Sequence, residues 1–184
     1  RQVSSAASDV YKRQSIMSYF SQSENTSIDA SYAYISTFST VDWIALDDLY
    51  SPQGFSLSNS FSGDTIYGFN TNITFSTSQI FSELTNWIDS TAFTIADGNG
   101  NDTFDFSGFS NNQSIDLRST NKSSNSLFTS NIAGLTGNLV ISAGTIIENA
   151  VGGSGNDTIT GNSSNNILNG GNGNDLLIGG LGDD

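Results

Sequence analysis

The sequence predicts an all-β chain that ends in a parallel β-roll, a coil of very short strands joined by glycine-rich turns. Three observations support this fold class. Gly, Ser, Asn and Thr fill much of a chain that is only 12% charged, which favours short strands and turns over long helices. A nine-residue repeat begins at Gly152, and several segments before it have the β-branched and aromatic content of strands.

The repeat reads GGSGNDTIT, GNSSNNILN, GGNGNDLLI and GGLGDD over residues 152–184. Each unit opens on Gly and has Asp or Asn at its sixth position, and each complete unit has an aliphatic residue at its eighth. We expect two units to form one coil, with the eighth side chain facing inward and glycines providing positive φ in the turns. A flexible linker, the alternative explanation, has no reason to keep an aliphatic residue at this spacing.

The sixth-position side chains indicate calcium, which takes about six to eight oxygen ligands from carboxylates and backbone carbonyls. Successive units should fall on opposite edges of the roll, so a cation would lie between units that are two repeats apart. The first and third units supply the predicted site, which consists of Gly153, Gly155, Asp157, Gly170, Asn172 and Asp175. The second unit has Ser163, Ser164 and Asn166 in place of Gly, Gly and Asp, which predicts a weak site there.

Composition excludes several classes of function. The net charge is −13, from 18 acidic and 5 basic residues, and this excludes a basic nucleic-acid-binding surface. Because Cys and His are absent, disulfides, thiolate metal sites, His-ligated zinc and a Ser-His-Asp triad are also excluded from this chain. No apolar run is long enough to span a membrane.

The remaining elements follow from local patterns. Residues 41–50, VDWIALDDLY, predict a short amphipathic helix that ends at Ser51-Pro52. Residues 78–88 have apolar side chains at helical spacing, but their Thr and aromatic content leaves helix and strand open. DGNGND, residues 97–102, repeats the turn pattern outside the main array. Strands are predicted over residues 65–69, 72–76, 92–96, 102–106, 114–117 and 138–142.

The order of these segments resembles the serralysin-type metzincin proteases. SIMSYF, residues 15–20, is similar to their Met-turn, and residues 41–50 are similar to the last helix of their catalytic domain. GDTIYGF (63–69), GNDTFDFSGF (100–109) and residues 144–168 are similar to their C-terminal calcium domain. The resemblance implies a non-native or disordered leader over 1–14, a helical remnant of the catalytic domain over 15–51, sandwich-like packed strands over 52–150 and a truncated β-roll of the RTX type over 151–184.

The resemblance also implies site residues. Met17 would be the Met-turn methionine beneath the zinc, and Tyr19 would ligate zinc or stabilise the oxyanion; ordinary core packing is the alternative for both. One implied calcium site comprises Gly63, Thr65, Asp97, Asn99 and Asp102, with the carbonyl of Phe61. A second comprises Gly100, Asp102 and Glu148, with the carbonyl of Ile146. Asn99 departs from the small residues that follow Asp97 in the family pattern.

The resemblance further implies that the intact parent protein is a secreted, extracellular zinc endopeptidase that cleaves protein substrates and leaves the cell through type I secretion machinery. The family's zinc motif, H-E-x-x-H-x-x-G-x-x-H, is absent, so we expect zinc only in the parent and no activity from this fragment alone. Calcium is the expected cofactor here. Two alternatives stay open: an RTX structural or adhesin module, and an RTX tail on another secreted enzyme.

Overall fold

Short strands dominate the computed structural model, which describes residues 34–35, 37, 40–54, 60–121 and 127–184. The expected β-rich class is confirmed, since strands outnumber helical segments in these ranges. The elements are β1 (Tyr34–Ile35), α1 (Thr40–Tyr50), a 3₁₀ turn (Ser51–Gln53), β2 (Ile66–Gly68), α2 (Gln79–Ser82), α3 (Leu84–Trp87), β3 (Thr91–Ile95), β4 (Thr103–Asp105), β5 (Ser114–Asp116), β6 (Thr129–Ser130), β7 (Leu139–Ile141), β8 (Asn149–Val151), β9 (Thr158–Thr160), β10 (Ile167–Asn169) and β11 (Leu176–Ile178). The predicted leader and the Met-turn, with Met17 and Tyr19, lie outside the described residues.

Two of the three sheets contain only parallel strands. One has the order β10–β8–β4–β2 and the other has the order β11–β9–β5. The third sheet, β1–β3–β7–β6, is parallel except for its antiparallel pair of β6 and β7. From β8 to β11 the chain alternates between the first two sheets. Strands two repeat units apart therefore become neighbours, as the spacing predicts.

The strand register shows that the nine-residue pattern begins earlier than the visible repeat. Thr103–Asp105 pairs residue by residue with Asn149–Val151, and Ser114–Asp116 pairs in the same way with Thr158–Thr160. Residues 102–105 and 113–116 therefore occupy the places of the sixth to ninth repeat positions. Long insertions between these strands and the array hide the period from the sequence.

The eighth repeat position faces the core in both parallel sheets. Ile159 is fully buried, and so are its pairing partner Ile115 and, in the other sheet, Phe104. Leu168 is partly buried, whereas Leu177 on β11 is 45% exposed because no further described strand stacks against it. Full burial of such a side chain contributes about 1.5–3 kcal/mol. The inward-facing column therefore contributes to the packing of the paired strands in both parallel sheets.

Five of the six predicted strands are confirmed, because β2, β3, β4, β5 and β7 overlap the predicted ranges. The prediction for residues 72–76 is wrong, because residues 72–74 are in no strand and residues 75–77 form a turn. The Thr74 carbonyl accepts hydrogen bonds from the N–H groups of Thr77 and Ser78. The Asn72 side chain accepts from the Ile66 N–H and donates to the Asp64 carbonyl. Local hydrogen bonds of this kind compete with strand pairing.

The helix predicted for residues 41–50 is confirmed as α1, and the 3₁₀ turn that contains Pro52 follows it. In its apolar stripe, Leu49 is 60% exposed, whereas Ile44 and Leu46 are half-buried. The ambiguous segment 78–88 is helical but broken into α2 and α3. Leu84 and Ile88 from this segment enter the core. None of the helices in the described ranges has the length and apolar character needed to cross a membrane.

Candidate metal centre

The Asp157 ladder, as we name it, joins three stacked turns through hydrogen bonds from backbone N–H groups to Asp side chains. The Gln113 N–H donates to Asp157 Oδ1 at 2.7 Å, and the Asp157 N–H donates to Asp175 Oδ1 at 2.9 Å. Asp157 Oδ2 accepts from the Gly153 N–H at 2.7 Å. The carboxylates therefore line up along one edge of the stack, at the sixth position that the repeat predicts.

Glycines allow these turns to approach one another closely. Gly171 and Gly173 have φ values of 88° and 124°, a region that strongly favours glycine. A Cβ on Gly171 would collide with the carbonyl oxygen of Gly153, and a Cβ on Gly173 would collide with that of Gly155. The absence of side chains at these positions therefore lets the third unit come into contact with the Gly153 and Gly155 carbonyls of the first.

The structure brings the six residues of the predicted roll site together. Asp157 Oδ2 and the Gly170 carbonyl oxygen lie on the same side of Gly152. A Cβ on Gly152 would come within 2.5 Å of each of them. The Asn172 N–H donates to the Gly153 carbonyl at 3.0 Å, which holds the third unit on the first. Carboxylate and carbonyl oxygens from two turns thus face a common region. This mixed oxygen set is the kind that calcium accepts.

The Glu148 ladder, named in the same way, runs along the turns of the other parallel sheet. The Thr65 N–H donates to Asp102 Oδ1 at 2.8 Å, and the Asp102 N–H donates to Glu148 Oε2 at 2.7 Å. The point that a Cβ on Gly100 would occupy lies 2.6 Å from the Gly63 carbonyl oxygen and 2.7 Å from Asp102 Oδ1. Four of the predicted ligands of the earlier sites, Gly63, Thr65, Gly100 and Asp102, therefore converge.

Asp97 places a second buried carboxylate in this region, and it is 1% exposed. Its Oδ2 accepts a hydrogen bond from the Tyr67 hydroxyl at 2.6 Å, whereas its Oδ1 has no hydrogen-bond partner among the described residues. The Thr145 hydroxyl bonds to both the N–H and the carbonyl of Asp97, at 2.9 and 3.0 Å. A buried carboxylate oxygen without a partner is costly. This oxygen is therefore suited to a cation.

Burial controls the ionisation of this cluster. It raises the pKa of Asp97 above its ordinary value and raises the pKa of Asp102 to about 7. At Asp102 the nearby Asp97 and Glu148 charges add to the rise in pKa, while the hydrogen bond from the Thr65 N–H opposes it. Burial and the hydrogen bond to Asp97 also raise the pKa of Tyr67. A bound cation would favour the ionised carboxylates and offset this cost.

The other predicted ligands lie around this cluster. Asn99 is exposed in its turn, and Ile146 is 52% exposed, so its side chain points away from the core. Phe61 has a φ of 44°, and its ring packs edge-on against Tyr67 with centroids 6.0 Å apart. Within the described ranges, no three acidic side chains cluster closely enough to hold a metal by themselves. Any cation bound here would therefore need backbone oxygens as well.

Sequence reasoning overlooked three residues that organise these turns. Gln113 occupies the sixth position of the coil before the array and is 3% exposed. Tyr67 and Thr145 position the side chain and the backbone of Asp97. One feature of the sequence indicates that Gln113 occupies a repeat position. Ser–Ile–Asp follows it, as Thr–Ile–Thr follows Asp157.

Residues 57–184, which include both ladders, match the family described as "Peptidase M10 serralysin C terminal". The chain belongs to this serralysin C-terminal family. The match covers more than half of the chain, and it confirms the serralysin-type resemblance that the order of the sequence motifs indicates.

Named relatives of this serralysin-family chain are longer proteins. It is 43% identical over 148 residues to "Metallopeptidase AprA" of Pseudomonas marginalis, which is 79% of this chain and 28% of that protein. It is 42% identical over 156 residues to "Serralysin B" of Dickeya chrysanthemi, covering 85% and 29% of the two chains. It is 41% identical over 144 residues to "Serralysin" of Photorhabdus luminescens, covering 78% and 26%. The chain thus spans less than a third of the length of these relatives.

Proposed function

We propose that this chain is the calcium-binding C-terminal portion of a secreted, serralysin-like zinc metalloendopeptidase, and that calcium folds its repeats into a parallel β-roll of the RTX type. The main support is the alignment of Asp157 and Asp175 across stacked turns, with glycine carbonyls beside them. Hard oxygen ligands from carboxylates and carbonyls are the chemistry that calcium prefers.

The proposal includes three calcium sites. The Asp157–Asp175 contact supports the roll site, and the unpartnered Oδ1 of Asp97 supports the second site. The hydrogen bond from the Asp102 N–H to Glu148 supports the third, because it brings that carboxylate to the turn of Asp102. The ligands would be Gly153, Gly155, Asp157, Gly170, Asn172 and Asp175 for the roll site; Phe61, Gly63, Thr65, Asp97, Asn99 and Asp102 for the second; and Gly100, Asp102, Ile146 and Glu148 for the third.

Calcium would contribute to folding because the aligned carboxylates repel one another without it. Binding to the folded state alone stabilises that state, by about 2.7 kcal/mol when free calcium is a hundred times the Kd. Extracellular calcium modules have Kd values of about 10⁻⁴–10⁻³ M. A roll in this range would stay largely unfolded in the cytosol and would fold outside, which suits export through type I secretion machinery.

Zinc belongs to the parent protein in this proposal, because this chain has no His. Zinc in the parent would polarise the scissile carbonyl of protein substrates and activate water. Met17 would form the floor beneath the zinc, and Tyr19 would act as a zinc ligand or oxyanion donor. The chain by itself would be inactive.

An RTX structural module, an adhesin, or an RTX tail on another secreted enzyme would use the same turns. The relatives' names, which include metallopeptidase and serralysin, favour the protease. The sequence upstream of Ser15 in the parent gene provides the test. We expect H-E-x-x-H-x-x-G-x-x-H there, and a parent without it would overturn the protease part of the proposal.

The calcium part is tested by far-UV circular dichroism of the full chain during a calcium titration, with magnesium as the control cation. We expect a gain of β signal with a midpoint of about 10⁻⁴–10⁻³ M calcium. The same concentrations of magnesium should give little change, because magnesium demands a tighter octahedral shell. A spectrum that stays constant up to about ten times this range would refute the calcium role.

A further inference from the structure

We propose that an asparagine pair, Asn162 and Asn166, takes the place of a calcium ion at the second repeat unit. The pair would keep this unit docked on the preceding coil when the roll site is empty. The inference rests on the proposed calcium role of the first and third units. It explains how a unit that lacks the sixth-position Asp still stacks in the roll.

Asn166 is 3% exposed, and all of its side-chain hydrogen-bonding groups have partners. Its Nδ2 donates to the Glu148 carbonyl at 2.8 Å and to Asn162 Oδ1 at 3.2 Å. Its Oδ1 accepts from the Asn162 N–H at 2.8 Å. An amide has two N–H donors and one carbonyl acceptor, so this side chain is satisfied in the buried turn.

Asn162 adds a second contact to the segment of Glu148 and extends the contact to one further segment. Its Nδ2 donates to the Ile147 carbonyl at 2.8 Å and to the Leu117 carbonyl at 3.1 Å. Its Oδ1 accepts from the Ser164 N–H at 2.8 Å. The two amides together satisfy three backbone carbonyls of the preceding segments, since Asn166 bonds to Glu148. Buried networks in which every group is satisfied are rigid.

Comparison with Asp157 shows what the asparagines replace. Both sixth-position side chains accept a hydrogen bond from the N–H four residues earlier, from Gly153 in one case and Asn162 in the other. The second oxygen of Asp157 accepts from the Gln113 N–H, whereas the corresponding atom of Asn166 donates to the Glu148 carbonyl. A carboxylate at position 166 would face that carbonyl as a second acceptor and would need a cation between them. The amide N–H₂ supplies the positive end of a dipole instead.

The charge pattern of the Glu148 ladder supports this role. Asp102 and Glu148 precede position 166 along the ladder, and Asp184 follows it by accepting from the Asn166 N–H at 2.9 Å. A neutral residue at 166 therefore avoids a further acidic side chain between Glu148 and Asp184. The second unit, with β10, is then held on the preceding coil without a calcium ion of its own, whereas the third unit, with β11, depends on the site between Asp157 and Asp175.

Hydrogen exchange of the full chain in millimolar calcium, followed by mass spectrometry of peptides covering 161–169 and 170–178, tests this difference. In Asp175→Asn, protection should fall about tenfold in 170–178 and change less than about twofold in 161–169. Asn166→Ala should lower protection of 161–169 by about tenfold or more, since it breaks the contact with Glu148. In Asn166→Asp, protection of 161–169 should depend more steeply on added calcium than it does in the wild type.

Two outcomes would overturn the asparagine pair. One is an equal loss of protection in both peptides of Asp175→Asn, and the other is unchanged protection of 161–169 in Asn166→Ala. Failure of the calcium proposal gives a different result. Hydrogen-exchange protection of 170–178 would then be unchanged by calcium removal and by Asp175→Asn. The response of 161–169 to Asn166→Ala would still decide whether the pair holds the second unit.

Discussion

Asp175 accepts a hydrogen bond from the backbone N–H of Asp157 at 2.9 Å, although a complete coil of chain separates the two residues. Each sixth-position Asp therefore holds the stack together and also presents its charge at the edge. The backbone contact orients the carboxylate before any cation arrives. Such preorganisation lowers the conformational cost of binding. The proposed calcium site would therefore use the same side chains that hold the turns together.

Asp175→Asn should remove the charge of this side chain and keep its hydrogen bond. Asparagine keeps an oxygen that can accept from the Asp157 N–H, so stability without calcium should change little. Loss of the negative charge should weaken calcium binding at the roll site by about tenfold, as measured by isothermal titration calorimetry. Asp89→Asn makes the same charge change at an exposed residue outside the repeat turns and is the matched control. Equal weakening in both variants would show that only overall charge matters.

Asp97→Asn should change stability in opposite directions with and without calcium. Asparagine can still accept from the Tyr67 hydroxyl, and it removes the cost of a buried charge whose Oδ1 has no described partner. In EDTA at pH 8, the free energy of unfolding should rise by about 1–2 kcal/mol, and the extra stability given by calcium should shrink. Urea denaturation in the two buffers measures both effects. Destabilisation of similar size in both buffers would contradict a cation-dependent role.

Gly173→Ala should destabilise the third repeat unit. Gly173 has a φ of 124°, and a Cβ there would meet the Gly155 carbonyl oxygen. The strain should cost about 1–3 kcal/mol of unfolding free energy. Thermal denaturation in calcium measures it, with Ser154→Ala as an exposed control in the facing turn. If the two variants have the same melting temperature, the turns do not pack as closely as described.

Asn138→Ala should destabilise the chain to the same extent with and without calcium. Asn138 is 2% exposed, donates to the carbonyls of Ile88 and Ile132 at 2.7 and 3.1 Å, and accepts from the Ile132 N–H at 2.9 Å. Leaving these buried groups unpaired should cost about 1–3 kcal/mol. Urea denaturation in EDTA and in calcium provides the comparison. Asn86→Ala, at an exposed position of α3, should stay within about 0.5 kcal/mol of the wild type.

Local chemistry made much of the fold predictable. The array from Gly152 could be identified because glycine turns, a sixth-position polar residue and an inward aliphatic residue recur at a fixed spacing. Ile159 is buried and Asp157 lies on the turn edge, as that spacing predicts. The helix at 41–50 and most strands were likewise predictable from short-range patterns. The strand expected at 72–76 was not, because the hydrogen bonds of Asn72 and Thr74 form a turn that alternation of residue types does not reveal.

By itself, the sequence determined, for the repeat from Gly152, which residues form turns, which side chains face inward, and that the turns are rich in oxygen ligands. These properties depend on neighbours within one unit. Only the tertiary structure decided which earlier segments stack on the array, because Ser114–Asp116 and Thr158–Thr160 meet across a long insertion that breaks the period. It also brought the amide of Asn166 to the Glu148 carbonyl. Contacts between distant segments depend on burial and hydrogen-bond satisfaction over the whole stack, and no local pattern records them.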